Sequence, residues 1–278
     1  MGSDTSIREL VHVLQEQTPQ TAQAAAIDPT TTPLFEEMPY LTTSDCHFLN
    51  DVFLRFPRVQ AGFNHMLGIE PEERLAEAVR MLAHEPRKGF IPMGIPMNMV
   101  QSIAGHQADG MKIAFMVAAS AHNPSHDPKR VSRMLAVHDL AESVTGDFIS
   151  GGANKDNITK HEKQKLERIA MRFLLDEFPD EDSAGEIMTL WEEYEEGQTP
   201  DAVMAHDIDK LELVMQAQYY ESMYPDLKKP LKELWDHAND NMQTPEARKI
   251  LTEITAQHPQ AHALKTHGRA VFAFPWPL

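Results

Sequence analysis

The adjacent pair His138 and Asp139 carries the strongest chemical signal in the chain. It lies in the stretch VHDLAESVTGD, in a segment predicted to be helical whose neighbouring positions are largely apolar. An ionised aspartate buried there needs a nearby cation or several hydrogen bonds, because burying an unpaired carboxylate is costly. A bound metal ion would meet that need, although a buried histidine bonded to a neighbouring carboxylate is more often structural than catalytic.

Two further donors belong to the same hypothesis, His106 on a preceding predicted helix and Asp209 on a later one. Together the candidates are two imidazoles and two carboxylates from three helices, and bundle interiors are common places for such sites. Nitrogen and oxygen donors suit one divalent ion such as manganese, iron, cobalt, zinc or magnesium. Glu142, four residues after His138, is expected on the same helical face, beside the metal without being its ligand.

Apolar residues recur at helical spacing over most of the chain, and strand-like alternation is essentially absent. In the segment PEERLAEAVRMLAHE, for example, one helical stripe is predicted to contain Leu75, Ala78, Val79 and Leu82. The other predicted helices span residues 100–121, 128–142, 158–178, 185–196, 200–222 and, with a weaker pattern, 245–256. The sequence therefore predicts an all-α fold in which these helices position the candidate donors.

The formal net charge of −17 argues against polymeric nucleic acid as a partner, because such a surface repels the phosphate backbone. A small phosphorylated substrate is compatible with this charge if the site holds a cation. Lys160 and Lys163, which follow the glycine-rich stretch GDFISGGANKDN, are candidate phosphate contacts. Lysines at a helix start are more often exposed to solvent, and that alternative stays open.

The chain has a single cysteine, Cys46, so an intrachain disulfide is excluded and a reducing cytosolic location is expected. No run of apolar residues approaches the length of a membrane span, and the first residues lack the pattern of a secretory signal. No membrane partner is expected.

Several ordered motifs resemble those of the HD-domain phosphohydrolases, in particular the branch of bacterial and eukaryotic 5′-deoxynucleotidases. The similar region covers about residues 72 to 225, a little over half of the chain. The matching motifs are SIAGH ending at His106, LAVHDLAESVTGD over residues 135–147, LWEEYEEG over residues 190–197 and DIDKLELVMQAQYYE over residues 207–221. A set of ordered motifs is more specific than one histidine–aspartate pair.

The resemblance implies an all-α HD fold, with one metal ion bound by His106, His138, Asp139 and Asp209. It also implies catalytic roles for Glu142 and for Asp147 at the mouth of the following loop. Enzymes of this type remove phosphate from nucleoside monophosphates and are often dimers, so a small nucleotide substrate and a homodimer are expected.

The family pattern differs from this sequence at two places. The loop before the first metal histidine commonly contains P-R-T-G-W, whose arginine and tryptophan help to place phosphate and sugar. We expect the corresponding residues here to be 92–96, PMGIP, which would leave both side chains missing. The acidic residues common before the serine and before the histidine are replaced by Gln101 and Gly105. An altered substrate selectivity is therefore predicted.

Two other functions remain to be separated from this one. An HD-fold di-iron oxygenase would need extra histidines after the pair, and His161 lies at a suitable distance along the chain, but within the charged run TKHEKQK. A noncatalytic nucleotide-binding or scaffold protein would explain the missing arginine and tryptophan. It would not explain costly buried carboxylates, which a purely structural domain does not need.

The sequence is divided here into three regions. Residues 1–70 form an extension, of which residues 1 to about 35 are expected to be a short helix and a flexible linker. Residues 71–258 form the phosphohydrolase domain, and residues 259–278 form a tail with the apolar end FAFPWPL.

Overall fold

The structure is a computed structural model that describes residues 38–121, 126–149 and 156–257. The predictions for residues 1 to 35 and for the tail at 259–278 lie outside this part of the chain. The chain divides into two compact units, Met1–Asp51 and Val52–Leu278. The domain boundaries at residues 70 and 258 stay a prediction.

Helices make up nearly all of the regular structure in the described residues, which confirms the all-α class. They are α1 (Thr43–Arg55), α2 (Pro57–Leu67), α3 (Pro71–Leu82), α4 (Ile103–Ala121), α5 (Pro128–Val137), α6 (Glu142–Thr145), α7 (Lys160–Leu175), α8 (Glu181–Glu196), α9 (Pro200–Met223), α10 (Lys228–Asn241) and α11 (Pro245–Gln257). In the described ranges, extended pairing is limited to an isolated bridge between Pro86 and Ser102. None of the described helices has the length and apolar character that a membrane span requires.

Local sequence explains where the helices around the site begin. Asp127 caps α5 by accepting a hydrogen bond from the Lys129 N–H at 2.9 Å, with Pro128 as the first helical residue. Thr159 and Glu162 form a reciprocal capping box at the start of α7. The Thr199 side chain caps α9 in the same manner as Asp127 caps α5. These caps satisfy N–H groups that lack a partner within the helix.

The prediction of one continuous helix from residue 128 to residue 142 is wrong. Helix α5 ends at Val137, and residues 138–141 form a turn before the short helix α6 begins at Glu142. In this turn the Glu142 N–H donates to the Asp139 carbonyl at 3.0 Å, a bond between residues three apart. The tighter winding means that His138 and Glu142 are not stacked one α-helical turn apart as expected.

Helix α9 is the centre of the larger unit and packs against α4, α5, α8, α10 and α11. Its buried residues lie all around its circumference, so it has no solvent-facing stripe over much of its length. One hydrophobic cluster joins it to α4, α5 and α8 through Ile113, Ala114, Val131, Met134, Leu135, Leu190, Tyr194, Met204 and Ile208. This core holds in place the helices that carry the candidate donors.

Helix α10 was not predicted. Its buried residues Leu231, Trp235 and Ala238 follow one another at spacings of four and three, the pattern of an amphipathic helix. The segment is short and otherwise polar, and its helical form depends on the apolar face that α9 offers.

The short helix α6 is surrounded by α2, α3 and α7. The approach of α2 is unusually close: a Cβ atom added to Gly62 would lie 1.9 Å from the carbonyl oxygen of Val144. A glycine is therefore required at this crossing, since any side chain would push α6 away. The crossing fixes the position of the segment that runs from Glu142 to Asp147.

Candidate metal centre

The folded chain brings together three of the predicted donors, His106, His138 and Asp139. One ligand atom from each lies within 4.8 Å of the others, and the two imidazoles are buried. His106 lies in the first turn of α4, His138 directly follows α5, and Asp139 lies in the turn after it. The Asp139 Oδ2 is 3.1 Å from the Nε2 of His138 and 3.7 Å from the Nε2 of His106.

Asp209, the fourth predicted donor, approaches this group from α9. Its Oδ1 lies 3.0 Å from the Nε2 of His106. Asp207 is only two residues away but faces another direction, since neighbouring positions two apart do not share a helical face. Its carboxylate accepts the N–H of Gln243 at 2.9 Å and that of Thr244 at 2.5 Å, at the start of α11. In the D-I-D motif, the second aspartate therefore faces the centre and the first has a structural contact.

Both imidazoles turn the same edge towards the centre. The Nδ1 of His138 lies 3.0 Å from the carbonyl oxygen of Leu135, and the Nδ1 of His106 contacts Oε2 of Glu212. With Nδ1 donating to these acceptors, Nε2 carries a free lone pair on each ring. Among the described residues, neither Nε2 atom has a hydrogen-bond partner, and the Oδ1 of Asp209 has none either. Convergent, unsatisfied nitrogen and oxygen atoms of this kind fit a divalent cation.

The electrostatics of the group also favour a cation. Burial and the charge of Arg87 lower the pKa of His106, but the neighbouring Asp209 and Glu212 carboxylates outweigh them and raise it to about 9, so positive charge is favoured at this ring. Burial raises the pKa of Asp139, yet the charge and hydrogen bond of His138 hold it well below its usual range. For Asp209, burial raises the pKa, but the close approach of His106 overcomes it and lowers the pKa. The carboxylates therefore stay ionised and attract positive charge at neutral pH.

Arg87 also lies in this centre, which corrects the prediction that the arginine of the family loop is missing. Its Nη1 is 3.4 Å from Oδ2 of Asp139, and its Nη2 is 3.8 Å from Oδ1 of Asp209. The matching motif is PRKGF at residues 86–90, earlier than the PMGIP segment. The segment had been chosen by its position before the histidine alone, and that choice was wrong. Phe90 replaces the tryptophan and packs edge-to-face on Tyr220, with ring centroids 4.9 Å apart.

Glu142 is buried next to the centre, with Lys163 beside it. The Nζ of Lys163 is 3.3 Å from Oε1 of Glu142 and 3.2 Å from Oε1 of Glu167, so this lysine bridges two carboxylates. Among the described residues, the Oε2 of Glu142 has no hydrogen-bond partner. Burial and the charge of Asp139 raise the pKa of Glu142 well above its ordinary value. Lys160, the other predicted phosphate contact, lies exposed at the first position of α7.

Asp147 is almost fully buried and connects two loops. Its Oδ2 accepts the backbone N–H of Lys88 at 2.6 Å, and its own N–H donates to Oε1 of Glu85 at 3.2 Å. Its carbonyl oxygen accepts a hydrogen bond from Nη2 of Arg58 at 3.0 Å. Because Lys88 follows Arg87 directly, Asp147 holds the loop that carries the arginine.

Tyr194, in the LWEEYEEG motif, also reaches the centre. Its ring lies between those of His138 and His206, with centroid distances of 4.8 Å and 4.2 Å. Its hydroxyl lies 3.5 Å from Oδ2 of Asp209. The LWEEYEEG motif therefore contributes a contact to a candidate ligand as well as core packing.

His161, the candidate extra ligand of a di-iron centre, belongs to a different region. It lines a cavity of about 390 Å³ between α7 and α8 together with Gln164, Lys165, Arg168, Trp191, Glu195 and Glu196. Within the described residues, the group of donors that could hold an ion consists of His106, His138 and Asp139 and does not include His161.

Comparison with known proteins gives a family for this arrangement. The family model of the HD domain matches residues 79–252 of this chain. The 5′-deoxynucleotidase HDDC2 of Danio rerio is 32% identical over 193 residues, which are 68% of this chain and 90% of that protein. The 5′-deoxynucleotidase hdd1 of Schizosaccharomyces pombe is 30% identical and covers 66% of this chain and 88% of its own length.

A solved structure shows the same fold. The PH0347 protein of Pyrococcus horikoshii superposes with a TM-score of 0.51 at 24% identity, over 65% of this chain and 96% of that one. The family model covers more than half of the chain and includes all four candidate donors, the HD pair among them. The chain belongs to the HD domain family.

Proposed function

We propose that this protein is a metal-dependent phosphohydrolase that removes the phosphate from a nucleoside monophosphate or a closely related nucleotide metabolite. One observation supports this proposal: atoms of His106, His138 and Asp209 that have no hydrogen-bond partner among the described residues converge beside the Asp139 carboxylate. The names of the relatives, 5′-deoxynucleotidases, support a 5′-deoxynucleoside monophosphate as the first substrate to test.

The four donors His106, His138, Asp139 and Asp209 would hold one divalent ion, of manganese, cobalt, iron, zinc or magnesium. Such an ion supplies Lewis-acid stabilisation of the negative charge on the phosphoryl group. The nitrogen and oxygen donor set is compatible with all five metals.

Arg87 would bind the phosphate. Its guanidinium lies at the edge of the donor group, 3.4 Å from Asp139, and presents a planar set of donors that matches phosphate oxygens. Negative charge develops on the phosphoryl group in the transition state, so its interaction with Arg87 would be strongest there. Arg87 would therefore contribute to turnover as well as to binding.

Glu142 would transfer a proton during hydrolysis. In this reaction the P–O ester bond breaks as water adds to phosphorus, and the departing sugar oxygen takes up a proton. Lys163 holds Oε1 of Glu142, while Oε2 is left without a partner among the described residues. The free oxygen is therefore available to the leaving group.

Lys163 supports this role by positioning Glu142, since it lies between that carboxylate and Glu167. A direct contact of Lys163 or Lys160 with the substrate phosphate stays a prediction. The catalytic role predicted for Asp147 also stays a prediction, and its contact with Lys88 supports a positioning role instead. Phe90, where the family has tryptophan, is a candidate cause of altered selectivity.

The proposal includes a homodimer and a cytosolic location. The resemblance to dimeric phosphohydrolases supports the first. The single cysteine, Cys46, is compatible with a reducing compartment and supports the second.

Phosphate release from 5′-, 3′- and 2′-nucleoside monophosphates tests the proposal, with each divalent ion added to chelator-treated protein. We expect activity on at least one monophosphate that requires a divalent ion and is lost in Asp139→Asn. Asp236→Asn is a matched control, because this exposed carboxylate pairs with Lys232 on the surface of α10. Full activity in Asp139→Asn would overturn the proposal, and two irons per chain with no phosphate release would favour the oxygenase.

A further inference from the structure

Glu212 lies directly behind His106, on the side away from the donor group. It is 3% exposed, and its Oε2 contacts the Nδ1 of the fully buried imidazole. Glu212 follows Asp209 by three residues on α9, so both side chains extend from the same helical face. Asp209 thus approaches one nitrogen of His106, and Glu212 approaches the other.

The second oxygen of Glu212 is also engaged. Its Oε1 accepts a hydrogen bond from Nε2 of Gln101 at 2.8 Å. Gln101 is itself held in place, because its backbone N–H donates to the Tyr220 hydroxyl at 2.7 Å. The orientation of the Glu212 carboxylate is therefore fixed at both oxygens.

The identity of residue 101 matters for this contact. An amide can donate to Glu212, whereas the acidic residue that the family pattern favours at this position would place one carboxylate against another. Gln101 also has Nε2 at 3.2 Å from Oδ2 of Asp109, so the single amide group serves two carboxylates. This departure from the family pattern thus has a defined role behind the metal centre.

We propose that Glu212 is a positioning residue that fixes the tautomer and orientation of His106, and that Gln101 holds Glu212 in that position. The inference rests on the proposed function, since it concerns how the chain prepares a nitrogen for a divalent ion. A carboxylate that accepts the Nδ1 proton leaves Nε2 unprotonated and raises its basicity. Neither Glu212 nor Gln101 touches the reacting atoms, so both act through His106.

Metal affinity, measured by titration calorimetry of the full chain with Co²⁺ and Mn²⁺, tests this inference independently of turnover. We expect Glu212→Gln, which retains a neutral acceptor, to weaken binding about 10-fold, and Glu212→Met, which retains none, to weaken it up to about 100-fold. The visible absorption of bound Co²⁺ should change in both variants, because it reports the geometry around the ion. Gln101→Met should cause a smaller loss.

Asp207→Asn is the matched control, a buried carboxylate on the same helix whose contacts are with the start of α11. It should lower the melting temperature and leave metal affinity unchanged. If folded Glu212→Gln and Glu212→Met bind metal with wild-type affinity, this inference is overturned and the proposed function is not. If those variants do not fold, Gln101→Met decides: weaker binding supports the inference, and unchanged binding overturns it. Absence of Co²⁺ and Mn²⁺ binding in the wild type would overturn the proposed function and this inference with it.

Discussion

The Asp147 carboxylate accepts the backbone N–H of Lys88 at 2.6 Å and so connects the loop after α6 to the loop that carries Arg87. The acceptor, and not the charge, is what this contact needs. We therefore expect Asp147→Asn, which keeps an oxygen at the same place, to retain most of the phosphohydrolase activity. Asp147→Ala should lose about 100-fold in kcat/KM, because small displacements of a positioned group cost this much.

Steady-state kinetics of the two variants on the same nucleotide separates the roles of Asp147. An equal and large loss in Asp147→Asn and Asp147→Ala would show that the negative charge itself is required. That result would restore the catalytic role that the sequence resemblance implies.

Arg87 lies 3.4 Å from the candidate ligand Asp139 and 3.8 Å from Asp209. If it stabilises the phosphoryl group, Arg87→Ala should lower kcat/KM by about 100- to 1,000-fold. Arg87→Lys should recover part of the loss, because it restores the charge without the planar pair of donors. The measurement is initial-rate kinetics at saturating metal. Arg80→Ala, on the exposed side of α3, is the control and should behave as the wild type.

Gly62 allows α2 to cross α6 closely. Because a Cβ there would lie 1.9 Å from the Val144 carbonyl oxygen, Gly62→Ala should lower the free energy of unfolding by about 1 to 3 kcal/mol. Gly185→Ala is the matched control, since a Cβ at that position in α8 meets nothing within 4 Å, and alanine favours a helix. Denaturant unfolding of both variants measures the difference. Equal stability in the two would contradict the crossing.

The carboxylate of Asp207 caps the start of α11 and also lies 3.1 Å from Nζ of Lys210. Asp207→Ala would leave the buried N–H of Thr244 and the partly buried N–H of Gln243 without this acceptor, at a cost of roughly 1 to 3 kcal/mol. Thermal and denaturant unfolding should show this loss. An unchanged free energy of unfolding would mean that the start of α11 finds other acceptors.

The buried Glu167 gives a pH dependence to stability. Burial raises its pKa from the ordinary value of 4.5 to about 7, so between these values the folded chain retains a proton that the unfolded chain has released. Stability should therefore fall as pH rises through this range. The neutral variant Glu167→Gln lacks this contribution, and its melting temperature relative to wild type should increase from pH 4.5 to pH 7.

Thermal unfolding of the metal-free protein across that range measures the effect. Glu186→Gln, at an exposed carboxylate whose pKa is lowered by its contact with Arg133, serves as the control and should not show this trend. A constant difference between wild type and Glu167→Gln at all pH values would contradict the raised pKa.

Sequence reasoning identified the helices with strong apolar periodicity and the four donors that the fold brings together. At His138 and Asp139, adjacent ionisable residues in an apolar segment gave a weak signal, and the ordered motifs around them made the prediction more specific. It could not separate Glu212 from the other acidic residues of α9, although the spacing of three from Asp209 was available. The contact with His106 depends on how α4 and α9 pack, which local patterns do not encode.

Because local sequence patterns do not encode packing, two of the predictions were wrong. The Pro86-Arg87 motif was missed because the loop between it and His106 has no periodicity that would fix its length. The break in helix after Val137 was missed because apolar spacing continues through residues 138–142, while the turn there depends on the contacts of α6 with its neighbours.

The bridge between Pro86 and Ser102 joins the two ends of the segment that runs from Arg87 to Gln101. The Arg87 N–H donates to the Gln101 carbonyl at 3.0 Å, and the Ile103 N–H donates to the Glu85 carbonyl at 2.8 Å. Residues 88–100 therefore form an insert whose two ends are joined by backbone hydrogen bonds. Evolution or an engineer could exchange the interior of this insert, and with it the choice of nucleotide, while the arginine and the first histidine stay in register.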